Sequence, residues 1–432
     1  MIDTTTRTHA VVLGGSIAGL LAARVLAGHY KRVTIVEKDH LANKPVPRTG
    51  IPQGAHVHGM LARGLGIVET MFPGLTAELQ RGGAGLVGPH DVRIFILGWR
   101  KTHDSRLKIL STTRPFLEWS IANRVRALAN ITINDDTEAV ALKGSKEQIT
   151  GVVVRNGETI RDLQADFIVD ARGRASNLAD WMKALGLPPP PHETSPLSSV
   201  YCSYLLEPLP GRPRPGLHQV ANFEEKMGVL IFPVEGGRLL LSLGANAKHP
   251  MPKTHEEMLD CLKALPVPDA YLAIKDLRQV TPLTYSRFTA SVRRNFDALS
   301  ELPRGIVAIG DAVASFNPIF GQGMTVAALE AQCLDNCLRE SDPSTDGFAK
   351  AYYAAIKPTV DLAWAPPDLE AKRNNPAAQS RVTRFLLWYT ERMQAAATRS
   401  AFVSKTIAEV QNMVAPPASL FTPGMFFRVL FA

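Results

Sequence analysis

Two glycine-rich runs and a few acidic residues carry the chemistry this 432-residue chain offers. The first run is Gly14-Gly15-Ser16-Ile17-Ala18-Gly19. It follows the apolar stretch Ala10–Leu13 and opens into Ile17, Leu20, Leu21 and Val25, which recur at helical spacing. Gly28 closes that helix, and Val33-Thr34-Ile35-Val36 then delivers Glu37, eighteen residues past Gly19. A buried strand, a glycine turn, a helix and a second strand ending in an acid make up the unit that holds a dinucleotide. Gly14 permits the tight turn and Gly19 lets helix and strand touch. The first amides of the helix face a pyrophosphate, with the helix dipole behind them. A carboxylate at Glu37 accepts hydrogen bonds from an adenosine ribose, which selects FAD or NAD over NADP, whose 2′-phosphate it would repel. Ser16 stands where the middle glycine of the pattern belongs. It is small and can donate a hydrogen bond itself, so the turn is expected to tolerate it.

The second run, Gly83-Ala84-Gly85-Leu86-Val87-Gly88, matches the bare glycine pattern better. Yet it follows the helix-like stretch Leu75–Arg81 with no apolar strand before it, so a loop is expected there and no nucleotide. Two later stretches end buried strands in polar turns. Asp166-Phe167-Ile168-Val169-Asp170 runs into Ala171-Arg172-Gly173-Arg174-Ala175-Ser176, and Gly305–Gly310 runs into Asp311 and a glycine-rich loop reaching Thr325. His56 and His58 form a pair after Pro52-Gln53-Gly54. With no third ligand at metal spacing, no metal site is expected; a hydrogen-bonded structural pair is the default, and tuning of a cofactor or substrate pocket the alternative. No residue stands out as a catalytic acid or base.

The composition is that of an ordinary globular protein, 45% hydrophobic and 20% charged, with a net charge of +8. Cys202, Cys261, Cys333 and Cys337 have no ligand or redox spacing, which points to a reducing, cytoplasmic setting. No export signal is expected, and no window reaches the roughly twenty apolar residues of a membrane span. Arg93, Arg100, Lys101, Arg106, Lys108, Arg114, Arg124 and Arg126 read as a solvated basic face. Without interleaved aromatic residues they do not suggest nucleic-acid binding.

The elements that must position these residues follow from periodicity. Helices are expected over His58–Phe72 and Thr112–Leu128, the latter entered at Arg114-Pro115, and strands over Val92–Leu97 and within Ile131–Val154. Asn156-Gly157 is a hairpin turn. A proline-rich break at Pro188–Pro196 opens a strand-rich stretch to about Ser291. Its clearest pair, Val229–Val234 and Arg238–Leu243, suggests a sheet with one face turned to an apolar space. A helix spans Met324–Leu338, and beyond Pro343 the chain is helical, with Phe385, Leu386, Tyr389 and Met393 on one face. The apolar tail Leu420–Ala432 carries Pro423 and Gly424, which argue against a continuous helix.

The N-terminal unit, the Asp170–Ser176 turn and Gly310-Asp311-Ala312-Val313-Ala314-Ser315-Phe316-Asn317-Pro318-Ile319-Phe320-Gly321-Gln322-Gly323-Met324-Thr325 occur in one order. Together they resemble the FAD-dependent monooxygenases of the aromatic-hydroxylase type, the group of para-hydroxybenzoate hydroxylase and squalene epoxidase. Within it they look most like bacterial natural-product epoxidases and hydroxylases. The resemblance implies an α/β fold: a Rossmann-like FAD-binding domain (1–85, 111–187 and 291–340) interleaved with a β-sheet substrate domain (86–110 and 188–290), then C-terminal helices (341–432). It assigns cofactor contacts to Gly14, Ser16, Ile17, Ala18, Gly19, Glu37 and Lys38, to Arg48 and Arg114, and to Arg172. It also assigns them to Gly310, Asp311, Pro318, Gly321, Gly323, Met324 and Thr325. Asp311 would serve the ribitol and pyrophosphate, Pro318 the flavin ring, and the helix start near Met324 the flavin N1–C2 carbonyl.

The implied reaction uses molecular oxygen through a flavin C4a-hydroperoxide to epoxidise or hydroxylate a lipophilic small molecule. Phenol hydroxylation is the alternative, and alkene reduction or halogenation are further ones. Trp99, Trp119, Trp181, Trp364 and Trp388 are isolated, against the Trp-x-Trp signature of a halogenase. Arg172 replaces the aspartate that the family links to NAD(P)H use, which leaves both NAD(P)H and a separate flavin reductase open as electron source. The apolar C-terminus is expected either to close the pocket or to touch a membrane surface.

Overall fold

Parallel strands His9–Leu13, Arg32–Val36, Ile131–Asn134, Phe167–Asp170 and Ile306–Ala308 come from three distant parts of the chain. They form one sheet, in the order 306–308, 167–170, 9–13, 32–36, 131–134. The computed structural model describes residues 7–209, 216–222, 227–373 and 375–431. His9–Leu13 is buried along its whole length, as a strand covered on both faces must be. The helix Ile17–Leu26 covers the sheet and packs in turn on the long helix Gly323–Glu340. Helix Arg114–Arg126 starts where Thr113 accepts a hydrogen bond from the Phe116 amide, with Pro115 in its first turn.

A second, eight-stranded sheet carries the strands Val92–Phe95, His192–Pro208, Leu217–Asn222, Met227–Pro233, Leu239–Asn246, Leu277–Gln279, Thr284–Arg294 and Ala314–Ser315. The hairpin expected around Glu235-Gly236-Gly237 is its centre. Its two faces differ. Val229, Ile231, Leu239, Leu241 and Leu243 pack with Met258, Leu262 and Ile274 of helices His255–Lys263 and Asp269–Ile274, as ordinary core. Leu230, Phe232 and Leu240 point the other way, among Val57, Val87 and Leu205. The apolar residues that suggested an oily chamber are therefore packed in two core clusters, one on each face of the sheet.

Several other expectations need correction. His58–Phe72 is not one helix: His58–Met60 is a strand and the helix is Ala62–Met71. That strand pairs with Ile109–Thr112, which also pairs with Gly85–Val87, so part of the second glycine run is a strand. After Phe348–Arg373, helices Arg381–Ala397, Ala401–Gln411 and Pro423–Leu430 close the chain around Tyr389, Met393, Val403, Ile407, Met425 and Val429. Of the four residues expected on one helix face, Tyr389 and Met393 are buried while Phe385 is 42% exposed. The tail does form a helix after Thr422, since Pro423 sits in its first turn, where proline costs no hydrogen bond.

Candidate functional site

The carboxyl ends of four adjacent parallel strands converge on one groove, the place where open α/β sheets bind ligands. Gly14 follows the first strand with φ +103°, and a Cβ there would lie 2.6 Å from the Ala171 carbonyl oxygen at the end of the neighbouring strand. A Cβ on Gly19 would fall 1.8 Å from the Gly14 carbonyl oxygen, and one on Gly310 (φ +66°) 2.8 Å from the Ala18 methyl. Backbone therefore meets backbone at Gly14 and Gly19, and Gly310 lets the third piece of chain lie against the first. Ile17 is in the core, and Ala18 is the half-buried residue that Gly310 accommodates.

Charged side chains close one end of this groove. Glu37 is buried and turned onto the turn itself, accepting from the Gly15 amide at 2.6 Å and the Asp39 amide at 2.9 Å. The Ser16 hydroxyl donates to Glu118 Oε2 at 2.7 Å and accepts from Arg114 Nη2 at 2.9 Å. Arg114 Nε also donates to Glu118 at 3.3 Å, and Arg48 donates to the other Glu118 oxygen. Arg48 Nη1 lies 3.6 Å from Glu37 Oε2, yet it is buried without a hydrogen-bond partner. Beside this cluster opens a shallow, solvent-open cleft bounded by Gly15, Val46, Arg48, Glu118 and Trp119. Glu118 went unnoticed in the sequence, although its spacing of four from Arg114 on a helix was a legible signal.

Asp311 lies at the other end, half-buried between Gly173 and Gly323. Burial pushes its carboxyl above the ordinary range, against the pull of Arg114, Arg174 and Arg294. No donor reaches that carboxylate among the described residues. Arg294 supports the loop from behind, donating to the Asp311 and Ala312 carbonyls. The helices starting at Ile17 and Gly323 have no side-chain cap. Their first amides are thus left for another acceptor. Glu330, fully buried on the same helix, accepts from the Gly310 amide at 2.5 Å, and desolvation raises its pKa to about 8. It too was missed, as the one acid on an otherwise apolar helix face.

The loop between the two ends is exposed at Pro318 and Ile319, and Gly321 has φ +64°. Asn317 Oδ1 accepts from the Ile319 amide and from the Tyr201 hydroxyl, both at 3.1 Å, so Tyr201 pins this loop to the eight-stranded sheet. The His56 ring lies 6.2 Å from that of Tyr201. Its Nδ1 is 2.7 Å from Ser203 Oγ, which bonds to Ser242 Oγ, which accepts from the Val57 amide at 2.9 Å. Desolvation lowers His56 to about 4 and His58 to about 3, so both rings are neutral near pH 7. His58 Nδ1 contacts the His56 carbonyl at 2.8 Å.

Some expected residues do not join. The Arg172 guanidinium is held by Asp170 at 2.9 and 2.8 Å and by Asn177 at 2.6 Å, and stacks 3.8 Å from the Trp181 ring; it clamps its own turn and is not free for a phosphate. Lys38 is exposed and has no partner among the described residues. Met324 is buried, and the Thr325 side chain faces Gly64, where a Cβ would come within 2.5 Å of its Oγ1. The basic stretch is no single face: Arg114 is buried on Glu118, Arg124 pairs with Glu78, Arg93 with Asp269, and Arg100 binds Gln394. One trio, His40 with Asp135 and Asp136, has metal-capable atoms within 4.8 Å of one another, but it is largely exposed and remote in sequence from the paired histidines.

Residues 7–340 match the family model described as an FAD binding domain. The chain belongs to this family of FAD-dependent monooxygenases. It is 32% identical over 358 residues to Protein Rv3254 of Mycobacterium tuberculosis, a match covering 79% of this chain and 75% of that one. It is 26% identical over 386 residues to a kynurenine 3-monooxygenase of Salinispora tropica, covering 82% and 78%. Among solved structures, the flavin-dependent brominase Bmp2 shares the fold over 98% of both chains, with a TM-score of 0.71 at 14% identity. The groove fits the family's cofactor. The cradle would be filled by a Cβ at Gly14 or Gly19, Arg48 Nη1 is buried without a hydrogen-bond partner, and no donor among the described residues reaches the Asp311 carboxylate. Arg48, Arg114 and the uncapped Ile17 helix would hold the pyrophosphate, and Asp311 the ribitol hydroxyls.

Proposed function

We propose that this monooxygenase adds one oxygen atom to a lipophilic small molecule, by epoxidation of an alkene or by hydroxylation, in natural-product biosynthesis. The observation that carries the reading is the make-up of the sheet face beside the Asn317–Gly321 loop. Leu230, Phe232 and Leu240 give it an apolar part, while His56, Tyr201, Ser203 and Ser242 give it a narrow polar part. That suits a mostly apolar molecule with one hydrogen-bonding group. Bound FAD supplies the oxygen-activating chemistry; the chain binds and orients the substrate and keeps water out.

The polar track also admits one direction that aims a donor at the substrate. The Val57 amide can only donate, so the Ser242 hydroxyl is free to donate to Ser203, and Ser203 to His56 Nδ1. The ring then carries its proton on Nε2, which is buried without a partner and offers a donor to a carbonyl or phenolate oxygen. This feature favours phenol hydroxylation as the second reading, in keeping with the kynurenine 3-monooxygenase relative. Halogenation draws support from the brominase likeness, which at 14% identity is one of fold.

Incubating the FAD-loaded protein and NAD(P)H under ¹⁸O₂ with extracts of the producing cell tests the reading. A product carrying one labelled oxygen is expected. A product gained without oxygen uptake would mean a reductase, and one appearing only with added halide a halogenase. If labelled product forms only with an added flavin reductase, electrons arrive through free reduced flavin, as the tethered Arg172 allows.

A further inference from the structure

Every phenylalanine and tryptophan that is exposed among the described residues lies between Phe385 and Phe431. They are Phe385, Trp388, Phe402, Phe421, Phe426, Phe427 and Phe431, with Phe427 at 64% and Phe431 at 76% exposure. Folding does not require them outside. The three last helices already have a core of their own, and they are tied to the rest of the chain by polar bonds. The Lys101 amide donates to the Ala397 carbonyl at 2.9 Å, and the Ala62 amide to Asn412 Oδ1 at 3.0 Å. An apolar patch of this kind, left uncovered, marks a surface that meets something else.

Its pattern says what. On helix Arg381–Ala397, the residues Arg381, Arg384, Phe385, Trp388 and Arg392 fall on one outer stripe at spacings of three, four and seven. Arg392 lies 5.7 Å from the Trp388 ring and donates to the Val429 and Leu430 carbonyls, which fastens helix Pro423–Leu430 alongside. That helix turns Met425 and Val429 inward and Phe426, Phe427 and Arg428 outward; Arg428 stacks 4.6 Å over Phe402. Residues 381–431 carry six Arg or Lys against two Glu. Both acids are engaged, Glu391 by Arg373 and Glu409 by Lys405, while Arg381, Arg384 and Arg399 have no carboxylate partner among the described residues. Half of the chain's net charge of +8 therefore lies in the segment that carries the aromatic patch.

We infer that this face docks on an anionic lipid bilayer, with Phe427 and Phe431 at the headgroup–acyl boundary and the free arginines on lipid phosphates. Aromatic rings flanked by arginine, on a helix lying in the surface plane, are the signature of interfacial binding. No helix among the described residues is long and apolar enough to cross the membrane, so the protein lies on it. A protein partner of the same character would need acidic residues set between apolar ones. A second copy of this face would oppose arginine to arginine.

The test is cosedimentation of the full chain with vesicles of phosphatidylcholine alone or mixed with phosphatidylglycerol. Pelleting is expected only with the anionic vesicles, and added salt should weaken it. Phe427→Ser with Phe431→Ser should lower the partition coefficient at least about tenfold, and Arg381, Arg384 and Arg399 changed together to Ser should do as much. Since these side chains are exposed, the unfolding midpoints of both variants should match the wild type. Absence of vesicle binding, or variants that bind like the parent, would overturn the inference. So would a dimer in sedimentation velocity that the Phe427/Phe431 variant abolishes, which would make the patch an interface between copies.

Discussion

Gly14–Gly19 and Gly83–Gly88 present nearly the same pattern of glycines, and the molecule uses them in opposite ways. In the first run the glycines are forced by neighbours far along the chain: Ala171 against Gly14, and Glu37 within 3.3 Å of where a Gly15 Cβ would sit. In the second, the distant neighbours stand further off, with Gly236 3.1 Å from a Gly83 Cβ and Pro233 3.4 Å from a Gly85 Cβ, and the rest is a short strand at Gly85–Val87 and a turn. Each run gives a glycine amide to a carboxylate. Gly15 gives its own to Glu37, buried and 22 residues away; Gly88 gives its own to Asp91, exposed and three residues on. Glycine spacing alone thus carries little, and the strand before it carries most of the meaning.

The sharpest way to test that difference is Gly19→Ala. Its methyl would overlap a backbone carbonyl that cannot move without breaking the His9–Leu13 strand end. The cost should exceed the ~3 kcal/mol usual for overpacking. Purified Gly19→Ala is expected to be colourless or insoluble; a yellow protein with a normal unfolding midpoint would show the cradle is looser than described.

The next effect reaches the third glycine of the groove, through the acid that holds it. Glu330 has an ordinary pKa of 4.5 unfolded and about 8 folded. Between those values the folded chain binds one more proton. Stability from this group is therefore complete below about pH 4.5, declines as pH rises, and levels off above about pH 8. Glu330→Gln keeps an acceptor for the Gly310 amide but cannot ionise. Its denaturation midpoint should fall less than the parent's between pH 5 and pH 8, by an amount worth roughly a few kcal/mol. Parallel curves for the two proteins would mean that Glu330 is not the group being titrated.

Much of this was legible from spacing because parallel strands are buried on both faces and announce themselves as apolar runs. The parallel strands of the first sheet and the groove glycines follow from such runs, and three motifs in one order carry the resemblance to the FAD family. What stayed hidden depends on side-chain direction. Period-two strands do not say what covers each face, so Val229–Leu243 read as chamber lining when most of it is core. Arg172 sits in the right turn, but its choice between Asp170 and a ligand is a rotamer, which no spacing encodes. His58–Met60 is too short a strand to show against the helix that follows it.

The second run supplies the smaller effects. Gly83 has φ +97°, and a Cβ would lie 3.1 Å from the Gly236 amide nitrogen, so Gly83→Ala should cost about 1–3 kcal/mol of stability while FAD retention is unchanged. Loss of FAD without loss of stability would give this run a part in the cofactor site after all.

Gly88→Ala should do least. Gly88 has extended backbone, φ −102° and ψ 177°, which alanine adopts freely. Its Cβ would come 2.8 Å from Lys108 Nζ, the far end of an exposed side chain that can swing away. The hydrogen bond from the Gly88 amide to Asp91 uses no side-chain atom of residue 88 and survives the change. The expected shift is within about 0.5 kcal/mol in a denaturant titration, with normal flavin content. A colourless Gly88→Ala protein would place a phosphate at the run that lacks a strand before it, and would reverse the ranking of the two glycine stretches.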